Sequence, residues 1–191
     1  LLSCAKRLFD ITPHYNNVLP NSGYAILERN TKQGKVKLLF DTGSPGPEYA
    51  MGHAHCDALS FECFLEGEPW MVNSGTCMYQ GGDRLRYKSV SAHNSMQVST
   101  FEHMQCWSSF RVAKRYKQID WVVSVDEKGN PFAEAEIEDY SKHRLRRRVV
   151  LADEGIHLID SSDNGQLIRY FHFVDGYGGG GEPSPYCPEF G

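Results

Sequence analysis

The chain has 191 residues, of which 40% are hydrophobic and 12% aromatic. This is enough apolar material for one folded domain, and it excludes wholesale disorder. The formal net charge of −4 disfavours a dedicated nucleic-acid-binding protein, and no apolar run reaches the roughly 20 residues that a membrane-spanning helix needs.

The first residues, "LLSCAKRLFD", contain neither an initiator Met nor a complete signal peptide, which indicates a start within a longer polypeptide. They predict one helix, near residues 2–9. Strand patterns follow. Residues 23–29 and 35–41 flank "NTKQG" and predict a hairpin, and residues 58–67 and 68–75 predict a second hairpin that turns at Gly67. Further strands are predicted over residues 94–100, 108–116, 118–127, 131–139, 143–152, 155–163 and 166–173.

Apolar and polar residues alternate in "SFRVAKRY", "AEAEIED" and "RLRRRVVLA", which is typical of half-buried antiparallel strands. The economical architecture is an all-β, antiparallel β-sandwich. The basic run Arg144–Arg148 is predicted to form one charged strand face. Long irregular insertions, residues 42–57 and 74–93, contain nearly all the chemically interesting residues, and loops of this length are usually functional.

The stretch "MGHAHCDALS" places His53, His55 and Asp57 together. Three interpretations compete: a metal site, a proton-transfer site, or an ordinary loop. In an extended segment, residues i and i+2 share a face, so both histidines could face one cleft. The turn at Gly67 would bring Asn73 beside the His55 strand, and "SAHN" supplies His93, so that three adjoining segments offer ligands.

Two known histidine signatures do not fit. "HAHCDA" has Ala58 where metallo-β-lactamase-like hydrolases have their last His, and a cupin would need a Glu closer than Glu62. The six cysteines form no CxxC pair, which argues against a zinc ribbon or a redox motif. Cys56 and Cys63 are interpreted as small buried fillers.

The stretches "GHAHCDALSFECF", "VNSGT", "RLRYKSVSAHN" and their order closely resemble the C-terminal β-sheet domain of heparinase II/III-like polysaccharide lyases. The resemblance covers roughly residues 20 to 110. It implies a supersandwich-like β-domain over residues 20–174, preceded by a connecting segment, 1–19, and followed by a Gly/Pro-rich tail or truncation, 175–191. The family's N-terminal α/α-toroid is absent from the chain.

The resemblance implies a lyase that cleaves uronic-acid polysaccharides by β-elimination, in a cleft that the β-domain shares with the toroid. The toroid supplies a Tyr and an Asn or His, so this chain alone is an incomplete enzyme. Its own contribution would be His53, as carboxylate neutraliser or proton acceptor. The anionic polysaccharide and the toroid are the expected partners, and a bacterial periplasmic or secreted location is expected.

Some family members bind a structural zinc through positions that match His55, Asn73 and His93. An aspartate usually stands at the Asn73 position, so the chain lacks one negative charge there and zinc occupancy stays open. Asp57 is expected to fix the His-bearing loop by hydrogen bonds. Four residues of the intervening loop are candidates for binding anionic sugar, because Arg matches carboxylate or sulfate and aromatic rings match sugar faces: Tyr79, Arg84, Arg86 and Tyr87.

An alternative is a non-catalytic carbohydrate-binding or scaffolding domain that has kept the fold. The Asn at position 73 favours this alternative, whereas three histidines in register favour the lyase. The remaining histidines considered have no evident functional partners and are expected to be structural: His103, His143, His157 and His172.

Overall fold

The computed structural model describes residues 16–19, 21–76, 78–79, 81 and 83–174. The helix predicted near residues 2–9 and the tail 175–191 lie outside this range. The described strands are β1 (Asn16–Leu19), β2 (Tyr24–Thr31), β3 (Gly34–Asp41), β4 (Phe61–Leu65), β5 (Glu68–Met71), β6 (Met96–Val98), β7 (Gln105–Ser108), β8 (Arg111–Lys114), β9 (Lys117–Val125), β10 (Pro131–Glu138), β11 (Arg144–Ala152), β12 (Gly155–Ser162) and β13 (Leu167–Arg169). One α-helix, α1 (Asp83–Lys88), and 3-10 helices at Met51–His53 and Val90–Ala92 complete the described part.

Two antiparallel sheets form the sandwich. Sheet A has five strands in the order β1-β2-β3-β4-β5, and sheet B has four in the order β12-β11-β10-β9. Strand β2 packs against β10 and β11, and β1 packs against β9. Two short antiparallel pairs, β13 with β6 and β7 with β8, flank the sheets. The all-β, antiparallel sandwich predicted from the alternating pattern is thereby confirmed.

The core lies between the sheets because each strand directs alternate side chains inward. In β3, Val36, Leu38 and Phe40 are buried, whereas Lys35 and Lys37 face solvent and Leu39 is half-buried on the outer side. The facing side chains of sheet B include Ala133, Ala135, Ile137, Leu145 and Val149. Burying each large apolar side chain stabilises the fold by about 1.5–3 kcal/mol.

Both predicted hairpins form. Strands β2 and β3 pair in register from Tyr24↔Asp41 to Thr31↔Gly34. Strands β4 and β5 turn at Glu66 and Gly67, whose φ values of 53° and 88° are both positive, as a two-residue hairpin turn with the twist of a β-sheet requires.

The charged strand face predicted at Arg144–Arg148 is present on the outer side of sheet B. Arg144 and Arg146 there pair with Glu136 of β10, and Arg148 pairs with Glu134. Arg147 points the other way, into the core, where it is fully buried and paired with Asp160.

Three predictions differ from the structure. Residues 16–19, assigned to the connecting segment, form β1 and pair with β2. Residues 108–116, predicted as one strand, contain the turn between β7 and β8. Residues 83–88, predicted to be irregular, form α1, where two inward-facing cations, Arg84 and Lys88, replace the apolar stripe that would have marked a helix.

Candidate active site and metal-binding cluster

The His-bearing loop begins with the 3-10 helix Met51–His53 and becomes extended at Ala54. A Cβ at Gly52 would lie 3.1 Å from the backbone oxygen of Phe110, a tight contact, so glycine lets this helix approach the Phe110 backbone closely. The helix also overturns the expectation that His53 and His55 share a face through simple strand alternation. His53 is exposed, whereas His55 turns inward.

A turn closes the loop, with the Ser60 N–H donating to the Asp57 carbonyl at 3.0 Å. Leu59 adopts φ = 59° in this turn, a conformation that costs a branched apolar residue roughly 1–3 kcal/mol. Its side chain is 1% exposed, so core burial offsets that cost. The turn passes the chain directly into β4 and fixes Asp57 next to sheet A.

Potential ligand atoms of His55, Asp57 and His93 lie within 4.8 Å of one another. The imidazole rings of His55 and His93 are tilted by 51° to each other, with centroids 5.4 Å apart. Asn73 joins this cluster from the end of β5, and its Oδ1 lies 2.8 Å from Nδ1 of His93. Of the four residues predicted to bind or support a metal, His55, Asp57 and His93 therefore converge directly. The fourth, Asn73, contacts His93.

The electrostatics of the cluster favour neutral imidazoles. Burial, with Arg84 and Lys88 nearby, lowers the pKa of His55 to about 4. Burial and the neighbouring His55 hold the pKa of His93 well below its ordinary value. Metal ions bind the neutral ring, so neither histidine has to lose a proton before coordinating one at neutral pH.

The acidic side of the cluster has two buried carboxyl groups, Asp41 and Asp57, and the nearby Lys88 ammonium offsets only part of the rise in the pKa of Asp57. Burial raises the pKa of Asp57, and the neighbouring Asp41 raises it further. A small pocket of about 60 Å³ brings these two carboxyl groups together with Tyr24, Glu62 and Asn73. A bound cation would relieve the cost of keeping such buried carboxylates ionised.

The Nε2 atom of His93 is buried and has no hydrogen-bond partner among the described residues. An orphaned buried nitrogen is costly unless a metal, water or ligand occupies the space in front of it. Two neutral imidazoles with a carboxylate form a donor set that suits zinc. The residues therefore fit the metal that the family resemblance implies.

His53 lies in different surroundings from His55. Its ring contacts Tyr79 and Phe110 edge-on, at centroid distances of 6.1 and 5.6 Å. Tyr79 and Phe110 stack nearly parallel, with an angle of 16° between the rings, and the Arg84 guanidinium lies 5.7 and 5.9 Å from their centroids. His53 thus sits at the solvent edge of an aromatic and cationic cluster.

Helix α1 separates the predicted sugar-binding residues into two kinds. Arg84 is 1% exposed and donates to Thr76 Oγ1 at 3.0 Å. It therefore supports the rings of Tyr79 and Phe110 from their buried side. Arg86 is exposed on the same helix, Tyr79 is 63% exposed on the preceding loop, and Tyr87 is half-buried. Arg86 and Tyr79 are therefore accessible to a large ligand, whereas Arg84 acts through its neighbours.

The candidate site is held in place by buried polar residues of the sandwich. Asn94 donates to the carbonyls of Phe61 and Val72, and Ser95 donates to that of Ala58. Arg147 donates to the carbonyls of Leu59 and Asn94 at 2.9 and 2.7 Å. These bonds position the turn after Asp57 and the segment after His93 relative to each other.

Sequence reasoning missed two contributors. Phe110, at the turn between β7 and β8, contacts His53, and Lys88 is buried with its Nζ donating to the carbonyls of Gly52 and Ser109. Two consecutive serines before Phe110 are the sequence signal for that turn. Lys88 gives no comparable signal.

The other histidines lie apart from the cluster or support it. His103 is fully buried and bonded to the Met96 carbonyl, and His143 contacts Asp139. His157 is exposed on β12. The backbone N–H of His172 donates to Oδ1 of Asn94. This bond links the segment that follows β13 to the site.

The fold and the His–carboxylate cluster define an antiparallel β-sandwich domain with a potential metal site. The chain belongs to the heparinase II/III-like, C-terminal family, whose sequence model matches residues 12–170. The family assignment made from the "GHAHCD" region is confirmed, and the domain is related to polysaccharide lyases. No curated protein matches the chain.

Solved structures share the fold. A heparinase III matches with a TM-score of 0.61 and 17% identity over 81% of this chain, and a second heparinase III with 0.63 and 17% over 86%. A mutant of the heparan sulfate lyase HepC from Pedobacter heparinus matches with 0.61 and 17% over 84%. The chain spans about a quarter of the length of these proteins, namely 24%, 25% and 24%.

Among the described residues, no helix has the length and apolar character needed to cross a membrane.

Proposed function

We propose that this chain is the β-domain of a polysaccharide lyase that cleaves uronic-acid-containing polysaccharide by β-elimination, with His53 as its proton-transfer or carboxylate-neutralising residue. The observation that carries the proposal is the position of His53: it is exposed, beside aromatic rings and a cation, in a chain that belongs to the heparinase II/III-like family. Its partner is a helical toroid domain of the same full-length protein, which completes the cleft.

The proposed reaction removes the C5 proton of the uronate and expels the oxygen at C4, leaving a C4–C5 double bond. Negative charge builds up on the sugar carboxylate as the proton leaves, so cations and hydrogen-bond donors must face it. An imidazole can accept a proton or donate a hydrogen bond at neutral pH. His53 is the histidine of the site that solvent and a polymer can reach.

The surface around His53 suits an anionic saccharide. Tyr79 and Phe110 offer stacked rings, and Arg86 supplies an exposed guanidinium on α1. On the β7–β8 hairpin, Arg111 lies over Trp107, 5.1 Å from its centroid, and Trp107 is 58% exposed. An exposed aromatic ring beside a cation can bind both the apolar face and the acidic group of a uronate.

A zinc ion would be held by His55, Asp57 and His93. The hydrogen bond between His93 and the Asn73 amide oxygen would orient the ring, as partners of ligand histidines do in metal sites. Asp57 would supply the carboxylate that the family usually has at the position of Asn73. The ion would fix the two loops next to His53 and offset the buried acidic charge.

The proposal is tested with His53→Ala in the protein that joins this domain to its toroid. Because His53 is exposed and its ring contacts Tyr79 and Phe110 edge-on, we expect unsaturated-uronate formation to be lost while the thermal unfolding midpoint is unchanged. His157→Ala, an exposed histidine on sheet B, is the matched control. Turnover near that of the unchanged protein in the His53→Ala variant would remove His53 from the reaction.

A second candidate, a carbohydrate-binding or scaffolding domain without catalytic activity, is favoured by Asn73, which departs from the family's aspartate. The two candidates differ in one observable. A binding domain retains anionic polysaccharide but forms no unsaturated uronate even when the toroid is present, whereas the lyase domain does both. The isolated chain should show little elimination under either candidate.

The proposed location is periplasmic or secreted, because large polysaccharides are encountered outside the cytoplasm. Cell fractionation with an antibody against the domain tests this. Recovery of the protein with cytoplasmic markers alone would exclude it.

A further inference from the structure

The β7–β8 hairpin presents an aromatic ring and a cation to solvent. Cys106 and Val112 pair across the hairpin and pack against the core, so the alternation of a strand turns Trp107 outward. Trp107 is 58% exposed, and the guanidinium carbon of Arg111 lies 5.1 Å from the centroid of its ring. Trp107 and Arg111 together form the hairpin platform.

The hairpin platform lies beside the loop that carries His53. Phe110, whose ring contacts His53, directly precedes Arg111 in the chain. Strand β8 packs against the 3-10 helix that ends at His53, and α1 packs against β7. Just beyond the other end of β8, Arg115 donates to the carbonyl of Glu48 at 3.0 Å. The loop therefore runs along β8, and a polymer that reaches His53 can continue over the hairpin.

The described arginines fall into two groups according to their partners. Those of the two large sheets and of β13 pair with carboxylates: Arg29, Arg144, Arg146, Arg147, Arg148 and Arg169. Within the part of the chain that the structure describes, the arginines of α1, of β8 and just after β8 make no salt bridge: Arg84, Arg86, Arg111 and Arg115.

The unpaired arginines create a local excess of positive charge next to His53. Arg86, Arg111 and Arg115 are exposed, in a chain whose formal net charge is −4. A surface with charge of one sign attracts a polymer of the opposite sign and raises its local concentration. Because these cations have no carboxylate partner within the domain, an anionic ligand does not have to displace one.

We infer that the hairpin platform is a second saccharide subsite, which binds the ring and the acidic group of a sugar that neighbours the reacting uronate in the same polysaccharide. The open part of the Trp107 indole can cover the apolar face of a sugar ring. The Arg111 guanidinium can donate two parallel hydrogen bonds to a carboxylate or a sulfate. The inference rests on the proposed function for the identity of the polymer.

The hairpin platform contributes binding energy and takes no part in proton transfer. Contacts that are made equally in the bound substrate and in the transition state lower KM more than they change kcat. An oligosaccharide that is too short to reach the platform gains nothing from it. The part of the affinity that comes from Arg111 should also weaken as salt screens the charges.

The test measures affinity by calorimetry for a series of uronate oligosaccharides, from disaccharide to hexasaccharide, with and without sulfate. The protein joins this domain to its toroid and carries His53→Ala, so that the ligands stay intact. We expect affinity to rise with length, and Trp107→Ala or Arg111→Ala to lower it about tenfold for the hexasaccharide only. Trp107→Phe should restore most of it, and Arg111→Ala should reduce its salt dependence.

The matched control is Arg144→Ala, which removes an exposed arginine that is paired with Glu136 and should leave affinity unchanged. With His53 present, the two platform variants should raise KM for the polymer about tenfold, with a much smaller effect on kcat. The same length dependence without sulfate identifies a bound carboxylate, whereas length dependence in the sulfated series alone identifies a bound sulfate.

Two results would overturn the inference: an equal loss of affinity for the disaccharide and the hexasaccharide, or no loss in either platform variant. Arg111 is exposed and its side chain makes no hydrogen bond among the described residues, so Arg111→Ala decides the matter if Trp107→Ala does not fold. The proposed lyase function fails separately. A protein that forms no unsaturated uronate but shows the length-dependent loss keeps the subsite as part of a binding domain.

Discussion

The amide oxygen of Asn73 lies 2.8 Å from Nδ1 of His93. An amide oxygen can only accept, so this contact places a proton on Nδ1 of the imidazole and holds the ring in one orientation beside His55 and Asp57. The residue that departs from the family pattern therefore still orients a potential ligand. A carboxylate remains available to a metal through Asp57.

This arrangement predicts zinc binding that depends on His55. We expect about one zinc per chain by elemental analysis, lost in His55→Ala and retained in His157→Ala. Asn73→Asp, which adds a negative charge beside His93, should tighten binding by about tenfold, or ~1.4 kcal/mol. Equal zinc content in the His55→Ala and unchanged chains would show that the metal is bound elsewhere.

The two arginines of α1 should separate binding from stability. Arg86 is exposed, so Arg86→Ala should weaken affinity for a uronate oligosaccharide, measured by calorimetry, with no change in unfolding. Arg84 is buried beneath Tyr79 and Phe110, so Arg84→Ala should lower the free energy of unfolding by about 1–3 kcal/mol. If Arg86→Ala left affinity unchanged at low salt, the surface around α1 would not be the saccharide contact.

Acid should destabilise the domain through His103. Burial lowers the pKa of this histidine from 6.5 to about 4, so the unfolded chain binds the proton at a higher pH than the folded one. Its contribution to stability is fully present above about pH 6.5 and is lost as pH falls towards 4, at a cost of about 3 kcal/mol. In the His103→Gln variant, the side-chain amide can still donate a hydrogen bond to the Met96 carbonyl, but it cannot take up a proton.

The measurement for His103 is denaturant unfolding at several pH values. Between pH 6.5 and 4 the variant should lose less stability than the unchanged chain, with exposed His157→Gln as the control. The buried His55 and His93 also contribute to acid sensitivity. The free energy of unfolding of the variant should therefore still fall with pH, but with a smaller slope than that of the unchanged chain. Identical slopes in His103→Gln and the unchanged chain would contradict the assignment.

Arg147 should be the most stability-sensitive arginine of β11. It is fully buried and pairs with Asp160, itself 1% exposed in its side chain. Arg147→Met should cost about 3–5 kcal/mol, because it leaves a buried carboxylate with less compensation. Arg144→Met, whose side chain is 51% exposed, should cost no more than about 1 kcal/mol.

The Arg147 measurement is again denaturant unfolding. The double variant Arg147→Met/Asp160→Leu should recover part of the loss, because it removes the stranded charge as well. Equal losses for Arg144→Met and Arg147→Met would contradict the distinction between the two faces of β11.

The strands of the sandwich were predictable because alternation is a local property. β3 shows its pattern within eight residues, and β10 and β11 begin and end within one residue of the predicted bounds. The helix α1 was not predictable, because it turns Arg84 and Lys88 inward and therefore lacks an apolar stripe. Local pattern cannot reveal a helix whose buried face is cationic.

The candidate site was partly predictable. His55, Asp57, Asn73 and His93 were singled out from spacing and family resemblance, and the structure brings them together. The positions of Phe110 and Lys88 depend on how the β7–β8 hairpin packs against Gly52. Such packing follows from tertiary contacts between distant segments, which no short motif encodes.

The reach of Arg147 to Leu59, across 88 positions of the chain, has a consequence for how the domain is made. On a ribosome, the "GHAHCD" segment emerges long before the strand that braces it. Contacts between remote segments form slowly because a long loop must close first. The site should therefore acquire its geometry late, once β11 has docked, and neither a nascent chain that ends before β11 nor a transplanted "GHAHCD" peptide should reproduce it.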